Sequence, residues 1–379
     1  LIVSGLQVYP VTSGGQLRSS ALAEALAQRG FDVAVYSLTG RRDGYLSGRR
    51  SEWARVADRV SELVDYSRIS GFCQWLSYRF GLPPVWLTLL LRLRAPAALR
   101  AELARADLVV IDFPYVFPAL RYARGARYLH SHNLEHALWR WPFSSWVRAI
   151  EKMAARASDG VLCCSRDEER FFAGLARRPR SIFAIGNRID RRRFLPDPEE
   201  RLRVRRQIGA TDGDRVLLFS ASRYPPNTEA FDFLRAFARE HASLLARLGL
   251  RILVVGSVSP GELREDRFHA TGTVPRVEPY FQACDLAVNP VEQGSGTSLK
   301  LLEFVAAGLP VLSTSFGARG FDLREGEDYL GFTRDSLGTV LEETLASPLA
   351  AERLRGLAES ARRRIALRKD GLDEWMAAL

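Results

Sequence analysis

Short apolar runs alternate with amphipathic stretches twice along the 379 residues, and a polar stretch bearing prolines separates the two series. Buried strand, crossover helix, buried strand is the pattern of a parallel sheet covered on both faces. The first series has LIVSGL, FDVAVYS, ADLVVIDF, ARYLHSH, DGVLCCS and RSIFAIG. The second has RVLLFSAS, LRILVVGS, FHATGT, LAVNP and LPVLSTS. Helices are expected at 16–28 and 146–157, then at 229–248, 299–307 and 337–345. GNRIDRRRFLPDPEE has no periodicity, and the linker is expected over about 186–198. The reading is an α/β chain with one domain over 1–187 and a second over 188–365. Residues 366–379 read as a helix that either crosses back to the first domain through Trp375 or caps its own.

Open α/β sheets bind ligands beyond the carboxyl ends of their strands, so the loops there are where chemistry is sought. NPVEQGSGTSLKLLEFVAAGLPVLST, residues 289–314, reads as strand end, glycine-rich turn, short helix and strand. The turn sets the backbone of Gly294, Ser295, Gly296, Thr297 and Ser298 at a helix start, where unpaired N–H groups and the helix dipole favour an anion. Lys300 and Glu303, three apart, share one helix face. A phosphate cradle, a cation and a carboxylate for a sugar hydroxyl suit a nucleotide-sugar. The plainer reading is a βα turn with a surface Lys–Glu pair.

Gly14 and Gly15 stand directly before the first helix and allow close backbone approach. They are not a G-x-G-x-x-G fingerprint, which counts against a nicotinamide or flavin enzyme. HSHNLEH holds His130, His132 and His136, three of five histidines. The H-x-H-x-D-H order of metallo-hydrolases is absent and no distant ligand set accompanies them, so no metal is expected. Strand alternation sends His130 and His132 to one side, with Asn133 starting the loop. Asp112 and Tyr115 follow the preceding strand, where Asp112 would orient an acceptor hydroxyl or cap a helix. In FSASRYPPN, Arg223 offers a planar charged fork for phosphate oxygens.

Taken in order, these segments resemble the family 4 glycosyltransferases. The resemblance implies a GT-B fold, two Rossmann-like domains facing across a cleft. The family's E-x7-E element matches at Glu303, with Ser295 at the position of the first glutamate; the turn is similar to a branch written G-x-G-T-x-L-K-x-L-E. The resemblance assigns Glu303 to the nucleotide ribose and Lys300 to the diphosphate. His132, Asn133 and Glu135 match an H-N-x-E element, with the histidine facing the donor sugar. Gly14 and Gly15 match the glycine loop that abuts the acceptor and the donor phosphate. The family's Arg-x4-Lys pairing is absent, which leaves more of the phosphate charge to Lys300. Backbone near Val274 and Pro275 would meet the base, and Glu292 with Gln293 would take over sugar contacts missing at Ser295. His132, Lys300 and Glu303 are then the catalytic group.

The implied activity is transfer of a sugar from a nucleotide-diphosphate donor to an acceptor hydroxyl. Retention of anomeric configuration, no metal and no cofactor are implied with it. The acceptor is left among glycans, lipid-linked molecules and small molecules, in a polysaccharide or glycoconjugate pathway. Two alternatives keep the fold: a peripheral membrane or polymer-binding protein, and a sugar-nucleotide epimerase. The segment 67–94 mixes aromatics, leucines and arginines, and reads either as a membrane contact or as a helical insertion packed on its own core.

Composition narrows the remainder. The net charge of +10 invites a nucleic acid, yet only Lys152, Lys300 and Lys369 are lysines. So strong a bias to arginine reads as a GC-rich genome, and no basic patch interleaved with aromatics marks a nucleic-acid module. Leu1, Ile2 and Val3 read as a buried strand and not a secretion leader. Four cysteines without framework or metal spacing read as reduced thiols, which fits the cytoplasm or the inner face of its membrane.

Overall fold

The computed structural model describes residues 1–11, 14–40, 42–46, 48–175, 181–187, 189, 191–211, 213–294, 296–347, 349–367 and 371–379. By its internal contacts the chain divides into two compact units, Leu1–Arg188 with Lys369–Leu379, and Ile189–Arg368.

The first unit is built on eight strands: β1 (Ile2–Ser4), β2 (Val33–Ser37), β3 (Trp53–Ala57), β4 (Val60–Val64), β5 (Leu108–Asp112), β6 (Ala126–His130), β7 (Gly160–Cys163) and β8 (Ile182–Ala184). Their order is β3-β4-β2-β1-β5-β6-β7-β8, all neighbours parallel except the β3–β4 hairpin. Two apolar clusters cover the sheet, one around Val3, Leu99, Ile111 and Leu129, the other around Ile2, Leu26, Val110 and Leu162. The chain's last helix, Leu372–Ala377, packs in the second of these, with Trp375 0% exposed and set edge-on to Tyr128. Gly371 N donates to Ala184 O at 3.0 Å and holds that helix to β8.

The second unit has β9 (Arg215–Ser220), β10 (Leu250–Val255), β11 (Leu263–Glu265), β12 (Phe268–Ala270), β13 (Leu286–Asn289), β14 (Val311–Ser313) and β15 (Leu330–Gly331). The order is β11-β12-β10-β9-β13-β14-β15, antiparallel only between β11 and β12. Every strand expected from sequence is present, and four more appear: β3, β4, β11 and β15. The expected helix 229–248 is two, Pro225–Glu240 and Ala242–Arg247, broken at His241, whose ring stacks on Phe237 at 4.4 Å. The stretch read as linker is partly built into the second unit: Phe194 is buried against Phe281.

In each sheet the strand order reverses beside the first strand, between β1 and β5 and between β9 and β13. Crevices at such switch points are where open α/β sheets bind ligands. The glycines at 14–15 and Asp112 follow β1 and β5, while Arg223 and the turn 292–298 follow β9 and β13.

Candidate active site

In the second unit, the turn after β13 leads into the helix Leu299–Ala306, whose N-cap Ser298 makes no side-chain cap bond. Gly294 (φ 136) and Gly296 (φ 65) lie in backbone regions that other residues rarely enter. Asn289, fully buried, pins the turn by donating to Ser298 Oγ at 3.0 Å and to Gly317 O at 2.8 Å. Arg319 reaches the turn from the loop after β14, donating from Nε to Gly296 O at 2.9 Å, with its guanidinium over the Phe316 ring. A guanidinium thus stands beside an uncapped helix start.

Lys300 donates to Asn227 Oδ1 at 2.6 Å and lies 4.8 Å from the centre of the Phe219 ring. Burial, reinforced by the Arg319 charge, lowers its ammonium to about 7. Glu303 is half-buried and has no hydrogen-bond partner among the described residues; burial pushes its carboxyl up to about 7. No ion pair joins Lys300 and Glu303. Arg193 is turned to Glu278, at 2.7 Å. Val274 is half-buried against the core and Pro275 exposed, both in the loop after β12. Arg223 is exposed, with its backbone N–H bonded to Ser257 Oγ. Thr297 is half-buried within the turn, and Ser295 lies outside the described residues.

Glu292 and Gln293, the residues expected to replace contacts at Ser295, are both exposed and meet other side chains of the second unit. Glu292 is drawn to Arg334 at 3.2 Å, and Gln293 donates to Glu229 at 2.6 Å, so the polar ends of both are engaged by other side chains.

In the first unit, His130 Nδ1 and His132 Nε2 both meet Asp112 Oδ1, at 2.8 and 2.6 Å, and Ser19 donates to the other carboxylate oxygen. Asp112 is 0% exposed, and the N-cap of the following 3-10 helix Pro114–Tyr122 is Phe113; the carboxylate is a support beneath the histidines. Burial would raise its carboxyl, but the charge of His132 and the hydrogen bonds from both rings hold it well below the carboxylate range. Burial lowers His130 to about 3, so that ring is neutral.

A carboxylate only accepts, so Nε2 of His132 carries a proton and donates to it, and Nδ1 is the ring nitrogen left for another partner. That Nδ1 is buried and has no partner among the described residues. It looks toward Gly15, where a Cβ would come to 3.7 Å of it. Gly14 and Gly15 are the first two residues of the helix Gly14–Gln28, not part of the turn before it. The His132 ring is held by Phe113, stacked at 4.2 Å from a backbone at φ 76 that costs a bulky residue about 1–3 kcal/mol. Its carbonyl accepts from Arg18 Nη1 at 3.0 Å and from Cys164 Sγ at 3.1 Å.

Tyr115 and Glu135 are buried and consume each other, the hydroxyl donating to the carboxylate at 3.0 Å. Asn133 is half-buried beside them. His136 pairs with Glu151 at 2.6 Å. Of the residues expected on the acceptor side, Asp112, Tyr115 and Glu135 therefore sit in the support below His132. Asp112, His130 and His132 are also the one group among the described residues compact enough to hold a metal. Both ring nitrogens address the same carboxylate oxygen at hydrogen-bond distances.

Solved structures are similar over the whole chain. The Anabaena protein HepE in complex with UDP and glucose has a TM-score of 0.69 at 15% identity, covering 100% of this chain and 99% of that one. Sucrose-phosphate synthase from Thermosynechococcus elongatus gives 0.67 at 16% identity, covering 100% and 98%. WaaG, a glycosyltransferase involved in lipopolysaccharide biosynthesis, gives 0.60 at 17%, again 100% and 98%. At these identities the likeness concerns the fold, which is GT-B. The family comes from the sequence: Glycosyltransferase Family 4 matches residues 12–193 and Glycosyl transferases group 1 matches 214–342. The chain is a glycosyltransferase belonging to this family. No curated protein matches it.

Proposed function

We propose that the protein transfers a sugar from a nucleoside-diphosphate donor to an acceptor hydroxyl with retention, without a metal. The observation that carries this reading is the uncapped start of helix Leu299–Ala306, flanked by Lys300 and Arg319 and followed by the unpaired Glu303. Such a site offers dipole, ammonium and guanidinium to a diphosphate, and a carboxylate to ribose hydroxyls. HepE has been crystallised with UDP-glucose, which supports a nucleotide-sugar here.

As the bond from the anomeric carbon to the phosphate oxygen breaks, charge grows on the departing diphosphate. Fixed donors aimed at that charge contribute a few kcal/mol each, about 3–4 for a single well-placed one. The acceptor oxygen bonds to the anomeric carbon on the same face, and its proton passes to the departing phosphate oxygen. His132 Nδ1, which has no partner among the described residues, hydrogen-bonds a sugar hydroxyl. Glycans, lipid-linked molecules and small molecules are the acceptor classes, and the free thiols of all four cysteines suit a cytoplasmic setting. No helix among the described residues is long and apolar enough to cross a membrane.

The test is a thermal-shift screen of nucleotide-sugars, followed by proton NMR of the product formed with the best donor and a chelator present. Stabilisation by one nucleotide-sugar and a product of unchanged anomeric configuration are expected. Inversion, or activity lost to the chelator, would refute the scheme.

A further inference from the structure

The helix Arg68–Phe80 in the first unit is laid down inside out. Small residues face the protein: Ser70 is 1% exposed, Gly71 packs on Tyr45, and Ser77 accepts from Trp86 Nε1 at 2.7 Å. Its large apolar residues face away, Ile69 at 63%, Phe72 at 61%, Trp75 at 52% and Phe80 at 60% exposure. At 100° per residue these four fall within one face of the helix. An ordinary surface helix buries such a face. The helix Val85–Leu93, tied to it through Trp86, exposes Leu89 and Leu93 as well.

Charge is segregated in the same segment. Residues 66–101 contain five arginines and not one aspartate or glutamate, in a chain that carries acidic residues on both sides of it. Arg79, Arg92 and Arg94 are exposed, and Arg79 lies over the Phe80 ring at 5.5 Å. Aromatic side chains outward, arginines among them and no carboxylates are what an interfacial helix presents to acyl chains below and anionic headgroups around. A face meant for a second copy of the chain has no need of an acid-free surround.

We propose that the Ile69–Phe72–Trp75–Phe80 face docks the protein on an anionic membrane surface. The aromatic rings enter the headgroup layer and the neighbouring arginines meet lipid phosphates. This goes beyond the transfer reaction and holds whatever the acceptor is.

The test is co-sedimentation of the full chain with vesicles of phosphatidylcholine, pure or with about one part in three of phosphatidylglycerol. Binding to the anionic vesicles at low salt, weakened at high salt, and absent from the neutral ones is expected. The double variant Phe72→Ser with Trp75→Ser should lose at least about tenfold in partitioning while its melting temperature stays put, because both side chains are already in water. Arg79→Glu with Arg94→Glu should lose binding too and leaves the apolar face intact. The proposal is overturned if the protein stays in the supernatant with both vesicles, or if the serine variant pellets like the parent. It is equally overturned if the parent runs as a dimer in gel filtration that the serine variant dissociates, since a second copy then covers the face.

Discussion

His132 Nε2 lies 2.6 Å from Asp112 Oδ1, and this one bond decides what the imidazole can offer a ligand. It places a proton on Nε2 and turns Nδ1 toward Gly15. Asp112→Asn keeps the shape and removes the anion, so two ring N–H groups compete for one neutral oxygen, or meet an amide N–H. The expected cost is about 1–3 kcal/mol of stability in urea unfolding. Turnover should fall about tenfold or more, with nucleotide affinity unchanged by calorimetry, because the donor residues belong to the other unit. Equal loss of nucleotide binding would mean that Asp112 does more than hold the histidines.

Donor binding should peak near neutral pH. Lys300 sits at about 7 in the free protein, and a bound diphosphate raises it. Above about 7 the free protein loses a proton that the complex keeps, so affinity falls as pH rises, by at most about tenfold per unit. Glu303, also at about 7, has the opposite sign: ribose hydroxyls favour its anion, the complex releases the proton, and affinity falls as pH drops below about 7. Calorimetry with the nucleotide-sugar that stabilises the chain most should show both limbs. Lys300→Met should remove the alkaline limb and Glu303→Gln the acid limb.

Gly320 packs directly against the turn that precedes helix Leu299–Ala306. Its φ is +97, and a Cβ there would meet Thr297 Cγ2 at 2.6 Å and the Thr297 Cα at 3.1 Å. Gly326 has a similar φ of +79 with nothing within 4 Å. Alanine at either position costs about 1 kcal/mol of backbone strain. Only Gly320→Ala should also weaken nucleotide binding, by about tenfold, because it pushes the turn off the helix start. Similar affinities in the two variants would show that the turn tolerates the displacement.

How much was legible follows how local each signal is. The parallel strands, the switch-point loops and the Lys300–Glu303 pair are written within a few consecutive residues. The edge strand β3 is not legible because Trp53, Ala54 and Arg55 are all exposed, so its five residues lack the alternation of a strand with one buried face. Arg319 and Asn227 passed unread because their contacts, to Gly296 and Lys300, span 23 and 73 residues. Nothing in IDFPYVF tells that Ser19, His130 and His132 converge on Asp112. A carboxylate between two histidine-bearing strand ends was the available hint.

The last helix should be worth more to the first unit than its six residues suggest. Trp375 is wholly buried against Tyr128 at 5.3 Å, Leu372 beside it is also 0% exposed, and the surrounding cluster runs through Ile2, Val110 and Leu162. The salt bridge from Arg29 to Asp373 is largely solvent-exposed and contributes at most about 1 kcal/mol. Packing is therefore the main attachment. Trp375→Ala should cost about 3–5 kcal/mol, enough to unfold the first unit at a denaturant concentration that the second still withstands. Urea unfolding followed by far-UV circular dichroism should change from one transition to two, whereas Asp373→Ala should leave the curve nearly in place. A Trp375→Ala curve that overlays the parent would show that the sheet keeps its core without the returning helix.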